Sequence, residues 1–333
     1  MALENGKITN LMKSKILPIA GDASFRTFYR LISKKKNKII VVAKKEKYKN
    51  LVAYTAINKF LRGNGILAPK LYDYNFNRGI IIIEDFGNIS IYNTLLRKKN
   101  KLLIYKKLID LLLRIQKIKP KYKIKNIKKG SHLIRKYSNK HLHKESDLFF
   151  DWYLPPLLGK KRSQNLKKKG KKILSKLYNK LNFSNSYFVH RDYHAQNLIK
   201  VGKKIGIIDS QDALIGNPAY DLVSLIDDVR IKTTRKLKKQ ILNYYLKKTS
   251  IISKNNLNKF LEDFDILSIQ RNLKIIGIFS RLFKRDKKKQ YLKFIPYTWN
   301  LIEKRINKEL FSDLRRILDT NIPKKLRNKI ILK

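Results

Sequence analysis

Three features of the sequence predict an α+β chain: strand patterns over residues 1–86, helical periodicity across most of residues 87–333, and a short hairpin near residue 200 set within the helical part. Residues 25–32 mix aromatic and β-branched side chains, residues 34–38 form a polar turn, and residues 39–43 are a second apolar run, which reads as a hairpin. Leu51, Tyr54, Ile57 and Leu61 then fall at helical spacing, and Gly63-Asn64-Gly65 stops that helix. Pro69 leads into an extended segment over residues 71–74, and the turn Asn77-Arg78-Gly79 precedes the buried strand of residues 80–83. Beyond Gly87, Leu102, Tyr105, Leu108, Leu111, Leu112 and Ile115 line one helical face that ends before Pro120. The basic stretch 121–129 reads as an exposed linker, residues 147–158 as a helical region and residues 164–181 as a further helix. In the second of these Phe149, Phe150, Trp152 and Tyr153 suit a core better than a ligand stack. No internal repeat interrupts this order.

Composition narrows the function classes. No stretch approaches the roughly 18 apolar residues that a membrane span requires. Residues 1–6 lack the charged and apolar regions of a signal peptide, and without cysteine there is neither a disulfide framework nor a thiolate metal site. A cytoplasmic protein is expected. The 78 Lys+Arg against 24 Asp+Glu give a formal charge of +54, a field that suits nucleic acid or an anionic surface. The lysines, however, are scattered in clusters such as residues 34–36, 167–169 and 287–289, and no RNA-recognition, zinc-finger or helix-turn-helix pattern accompanies them. Compositional drift explains the charge better than a specific nucleic-acid partner, and only adhesion that weakens with salt is expected from it. Nothing in the sequence points to an oligomeric state.

The chemistry concentrates at one place. Tyr187-Phe188-Val189 is a strand entering the polar segment His190-Arg191-Asp192-Tyr193-His194-Ala195-Gln196-Asn197. Residues 198–201, the turn Gly202-Lys203-Lys204 and residues 205–208 form a hairpin that ends at Asp209. Asn197 and Asp209 lie equally far from its tip, so both arrive at its open end, with Asp192 just upstream. Two carboxylates and an amide oxygen make a hard-oxygen set suited to magnesium. Turn residues that merely end strands are the alternative, and three matching positions in strand context weigh against it. His190 reads as a buried histidine that anchors the loop, while His194 projects from it toward substrate or phosphate. His141-Leu142-His143 lacks a third ligand and reads as a solvated face.

The spacing H-x-D-x-x-x-x-N followed by Asp resembles the catalytic core of kinase-fold phosphotransferases. The resemblance implies a protein-kinase-like two-lobed fold: an N-lobe of residues 1–86 that binds nucleotide phosphates, and a C-lobe of residues 87–333 that carries the catalytic loop, metal and substrate sites. It implies ATP and Mg2+ as cofactors, with Asp192 as the base and Asn197 and Asp209 as metal ligands. Asp209-Ser210-Gln211 departs from the Asp-Phe-Gly of protein kinases, and residues 212–222 look like the aminoglycoside-phosphotransferase and choline-kinase branch, in which the counterpart of Asp221 braces the catalytic loop. Residues 21–26, 83–87, 147–153, 211–213 and 270–282 further resemble the anomeric amino-sugar kinases, which phosphorylate N-acetylmuramate and N-acetylglucosamine at C1 in cell-wall recycling.

That resemblance implies an amino-sugar substrate and assigns further residues. Gly21, Asp22, Ala23, Ser24, Phe25 and Arg26 would form the turn over the phosphates. Residues 83–86 would be the hinge whose backbone meets adenine, giving contacts near Glu84 and Phe86, with a plain strand end as the alternative. Lys44 or Lys45 follows the strand that carries a phosphate-binding lysine in related kinases, although residues 51–61 offer it no acidic partner. Asp212, His194 and Arg271 are substrate candidates, Arg271 and Arg281 being equally compatible with structural ion pairs. The competing readings are a kinase for another small acceptor, of the aminoglycoside or choline type, and a weakly active kinase-fold protein that binds nucleic acid.

Overall fold

A computed structural model describes residues 15–19, 26–34, 36–43, 48–127 and 130–327. The chain divides into two compact units: residues 1–93, 123–134 and 196–213 form one, and residues 94–122, 135–195 and 214–333 form the other.

The first unit is built on a five-stranded antiparallel sheet in the order β1-β2-β3-β5-β4. Its strands are β1 (Lys15–Ile19), β2 (Thr27–Ile32), β3 (Lys38–Val42), β4 (Leu71–Asn75) and β5 (Ile80–Glu84). The expected hairpin is present, with Thr27 opposite Val42 and Leu31 opposite Lys38. β5 runs between β3 and β4 and is buried along most of its length, as its isoleucine run requires. Helix α1 (Tyr48–Gly63) lays Leu51 and Tyr54 against Ile39, Val41, Phe76, Ile81 and Ile83. Gly79 closes the β4–β5 turn at φ 67°, where an added Cβ would lie 2.2 Å from the Ala43 carbonyl oxygen.

Two features of this unit differ from the sequence reading. β1 was not expected; it is a largely exposed edge strand containing Pro18, so it shows no apolar alternation. The stretch 121–129, expected as a linker, contains Lys123–Lys125, which pairs with Ser131–Leu133. Ile124 is buried there and Ile127 packs on the sheet-and-helix core, a gain that a solvated linker would forgo. The hairpin of Leu198–Val201 and Lys204–Ile207 pairs Val201 with Lys204 and Leu198 with Ile207, and Gly202 turns the chain at φ 58°. It is tied down by Ile207 N–H donating to Leu67 O (2.8 Å) and Lys200 N–H donating to Ile89 O (2.8 Å).

Helices dominate the second unit. Leu102–Gln116 buries the apolar face read from the sequence. The helical region expected from residue 147 starts earlier, at Asn139, because Ser138 and His141 form a capping box. It continues through a π-turn at Phe149–Tyr153, where Leu154 N–H reaches back five residues to Phe149 O (3.3 Å). The wide turn carries the aromatic cluster into the core: Phe149 stacks on Tyr153 at 5.2 Å, and Trp299 Nε1–H donates to the Tyr153 hydroxyl at 3.0 Å. The 30-residue helix Leu257–Asp286 is buried almost continuously from Asp263 to Gly277. Its Gly277 faces the backbone of Leu148, where a Cβ would sit 2.3 Å from the carbonyl carbon. Among the described residues no helix is long and apolar enough to cross a membrane.

Candidate active site

In the second unit, the strand Tyr187–Val189 pairs with Leu214–Gly216 and delivers the chain into the loop of the motif. His190 is fully buried. Its N–H and that of Arg191 donate to the two carboxylate oxygens of Asp221, at 2.7 and 3.0 Å. Arg191 adopts φ 72°, a left-handed conformation that is rare outside glycine. Asp221 therefore braces a bent loop; it does not cap its own helix, Ala219–Ile226, which has no side-chain cap. Below the bend, Tyr193 donates from its hydroxyl to Leu108 O at 2.7 Å. The N–H of His194 turns back onto Asp192 O at 2.9 Å.

A buried carboxylate absent from the sequence reading, Glu145, organises this region. It accepts hydrogen bonds from the Tyr137 hydroxyl and the Arg191 guanidinium, from Lys274 Nζ (2.9 Å), Gln270 Nε2 (3.0 Å) and the Tyr220 hydroxyl (3.1 Å). Gln270 and Lys274 are four residues apart on one helix, so both reach the same carboxylate. Burial would raise the Glu145 pKa, but Lys274 and Arg191 lower it to about 2.

The same cations act on Asp192. Burial opposes its charge, yet Lys274, His194, Arg191 and Arg271 hold its pKa well below the ordinary carboxylate range. His194 is itself lowered to about 4 by burial and by Arg230, so it is neutral at pH 7 and the persistent charges near Asp192 are Lys274, Arg191 and Arg271. Asp221 moves the other way: burial raises it to about 7, against the two backbone donors. Arg271 is buried, and among the described residues it makes no hydrogen bond or ion pair; its Nε has no partner. The structural ion pair considered for it is absent. Arg281 is half-buried, and burial lowers its pKa.

In the first unit, Ile208 N–H donates to Asn197 O at 3.0 Å, which extends the hairpin register to Asn197 and sets Asp209 one residue beyond. Asp209 is also left-handed, at φ 65°. Its carboxylate pairs with the Arg26 guanidinium, whose other nitrogen donates to Gln211 Oε1 at 3.1 Å. Arg26 lies over Tyr54 at 5.9 Å and Phe28 at 5.7 Å. Ser210 donates to Asn58 Oδ1 of α1 at 2.7 Å, fixing the segment after Asp209. Asp212 is exposed and accepts from Gln211 Nε2 at 3.3 Å.

Glu84 ends β5, and Phe86 follows it two residues on. The Glu84 carboxylate pairs with Lys36 (2.8 Å) and Arg62 (3.3 Å), and its N–H donates to Lys70 O (2.8 Å). Asp85 holds Arg30 at 2.5 Å. The Phe86 ring lies on Gly206, so closely that a Cβ there would come within 2.5 Å of it. Gly21, Asp22, Ala23, Ser24, Phe25, Lys44 and Lys45 lie outside the described residues. No group of three or more His, Cys, Asp or Glu among the described residues could hold a metal. His141 instead meets Ser138 Oγ, and His143 Nε2 meets Ser175 Oγ, each at 2.9 Å.

The sequence reading missed Glu145 and Lys274. The signal for Lys274 was its helical phase, one turn after Gln270 and Arg271; a lone glutamate in a polar helix carried none.

Comparison with known proteins agrees with this picture. The profile of the phosphotransferase enzyme family matches residues 15–253. An N-acetylmuramate/N-acetylglucosamine kinase from Pseudomonas aeruginosa is 27% identical over 293 residues, 87% of this chain and 83% of that protein. A protein of the same name from Neisseria meningitidis is 23% identical over 86% of this chain and 84% of its own length. The crystal structure of a choline kinase from Streptococcus pneumoniae superposes with a TM-score of 0.61 at 14% identity, over 90% of this chain and 96% of that one. An ADP-bound aminoglycoside phosphotransferase gives 0.60 at 12% identity, over 91% and 96%. The fold is thus protein-kinase-like, and the chain belongs to the phosphotransferase enzyme family.

Proposed function

We propose that the protein is an ATP-dependent sugar kinase that phosphorylates the anomeric hydroxyl of N-acetylmuramate or N-acetylglucosamine. The observation that carries this reading is the braced, half-buried Asp192 in a cationic surround, on a chain related over most of its length to kinases named for those two sugars. Asp192 orients the anomeric hydroxyl and takes up its proton only as the bond from the hydroxyl oxygen to the γ-phosphorus forms and the bond from that phosphorus to the departing ADP breaks. A carboxylate held so far into its charged state is a poor standing base, and it works chiefly by position and charge. Asn197 and Asp209 fit a magnesium ion, being an amide and a carboxylate at the open end of one hairpin, with Asp209 already in contact with a cation, Arg26. Magnesium bound there would neutralise charge on the nucleotide phosphates. Residues 1–86 supply the nucleotide-phosphate site, with Arg26 as its described cation, and Asp212 and His194 are assigned to the acceptor side.

The positive surround of Asp192 also disfavours polycationic aminoglycosides and cationic choline as acceptors, since like charges in a buried site repel. The test is an acceptor panel with ATP and magnesium, read as ADP release. Turnover with the N-acetylated amino sugars and none with choline or kanamycin is expected; the reverse order would overturn the assignment.

A further inference from the structure

Three lysine or arginine side chains are buried among the described residues: Arg327, Lys274 and Arg271. Two are matched, Arg327 by Asp319 (2.6 Å) and Glu303 (3.3 Å), and Lys274 by Glu145 (2.9 Å). Arg271 is 4% exposed and has neither hydrogen bond nor ion pair, and its Nε is without a partner. A guanidinium removed from water without an anion is costly, so a fold keeps one where something anionic arrives.

Among the described residues no carboxylate hydrogen-bonds or ion-pairs with it, and Asp192 feels its charge without a bond to it. Asp221 is committed to the N–H groups of His190 and Arg191, and Glu145 to Lys274, Arg191, Gln270, Tyr137 and Tyr220. Arg271 nevertheless sits within electrostatic reach of Asp192 and His194 on the motif loop, and of Tyr220 and Asp221 beneath it. Geometry places it there too: its helix neighbours Gln270 and Lys274 bond Glu145, which holds Arg191, the residue before Asp192, so an anion at Arg271 lies near the group that handles the acceptor.

We infer that Arg271 is the specificity-determining residue for the acceptor, its planar guanidinium binding the carboxylate of an acidic amino sugar. The inference rests on the amino-sugar reading above. N-acetylmuramate carries a lactyl carboxylate that N-acetylglucosamine lacks, so Arg271 favours the former. The bidentate fork of arginine suits a carboxylate, and lysine would replace only its charge.

The experiment measures kcat/KM for both sugars in the wild type, Arg271→Gln and Arg271→Lys. The wild type should prefer N-acetylmuramate. In R271Q the ratio of the two kcat/KM values should fall by about 10- to 100-fold, mostly through KM for N-acetylmuramate, and R271K should recover part of it. Remaining turnover of N-acetylglucosamine reports that R271Q is folded, and R271K preserves the buried charge if R271Q is not. An unchanged ratio with both sugars equally impaired would overturn the inference, assigning Arg271 to the phosphoryl group or to the scaffold. Absence of wild-type preference would overturn it as well. A wild type that phosphorylates neither sugar would overturn the amino-sugar reading and this inference with it, a result told apart by failing before any variant is made.

Discussion

Asp192 is half-buried and Asp221 fully buried, both near the same arginine, and their surroundings push them in opposite directions. Asp192 stays charged across the whole working range, so its substitution removes a fixed charge and an acceptor. Asp192→Asn is expected to lower kcat by roughly 10²–10⁴-fold while nucleotide affinity, followed by isothermal titration with ADP and magnesium, changes little. A matching loss of nucleotide affinity would move the residue out of the acceptor site. Asp221 has a pKa raised from 3.8 to about 7, so its contribution to stability is full below about pH 4 and is lost as pH rises through about 7. Wild-type stability should carry a downward slope over that window that Asp221→Asn removes, which urea unfolding at a series of pH values would reveal. An identical slope in the variant would mean that another group titrates. Glu145, lowered to about 2, acts with the opposite sign: its contribution is present above about pH 4.5 and fades below it.

At the scale of elements, what the sequence displayed was periodicity, and what it hid was approach. The apolar face of Leu102–Gln116, the hairpin behind Asn197 and Asp209, and the isoleucine strand β5 could all be read because burial dictates their spacing. β1 was illegible because an exposed edge strand has no buried face to mark it. The pairing of Lys123–Lys125 lay inside a run of lysines whose single buried residue is Ile124. The motif loop was legible, but its supports were not: Glu145 gains five partners only once Tyr137, the loop at Arg191 and the helices Ala219–Ile226 and Leu257–Asp286 converge on it. Gly277 belongs to this hidden class. It lets Leu257–Asp286 touch the backbone where Asn139–Leu148 passes into its π-turn. Alanine there gains about 1 kcal/mol of helix propensity but must displace backbone, so Gly277→Ala should destabilise by a net of about 1–3 kcal/mol. A more stable variant in thermal unfolding would show that the contact is looser than described.

For the molecule as a whole, a net charge of +54 coexists with acidic groups that are few and, in each unit, paired with cations. In the first unit Asp209 is held by Arg26, and in the second Glu145 is held by Arg191 and Lys274. The excess lysine is carried elsewhere along the chain, which fits compositional drift. Binding to a random DNA duplex should fall by about 10³-fold or more between 50 and 200 mM salt. Affinity that persists through that range for one sequence would restore a nucleic-acid role. The relation between loop and acceptor is then the central claim, and product structure tests it most directly. With ATP, magnesium and N-acetylmuramate, phosphorus–proton correlation NMR of the product should couple the new phosphate to the proton on C1. A phosphate coupled to the C6 protons, or no phosphorylated sugar, would contradict the account.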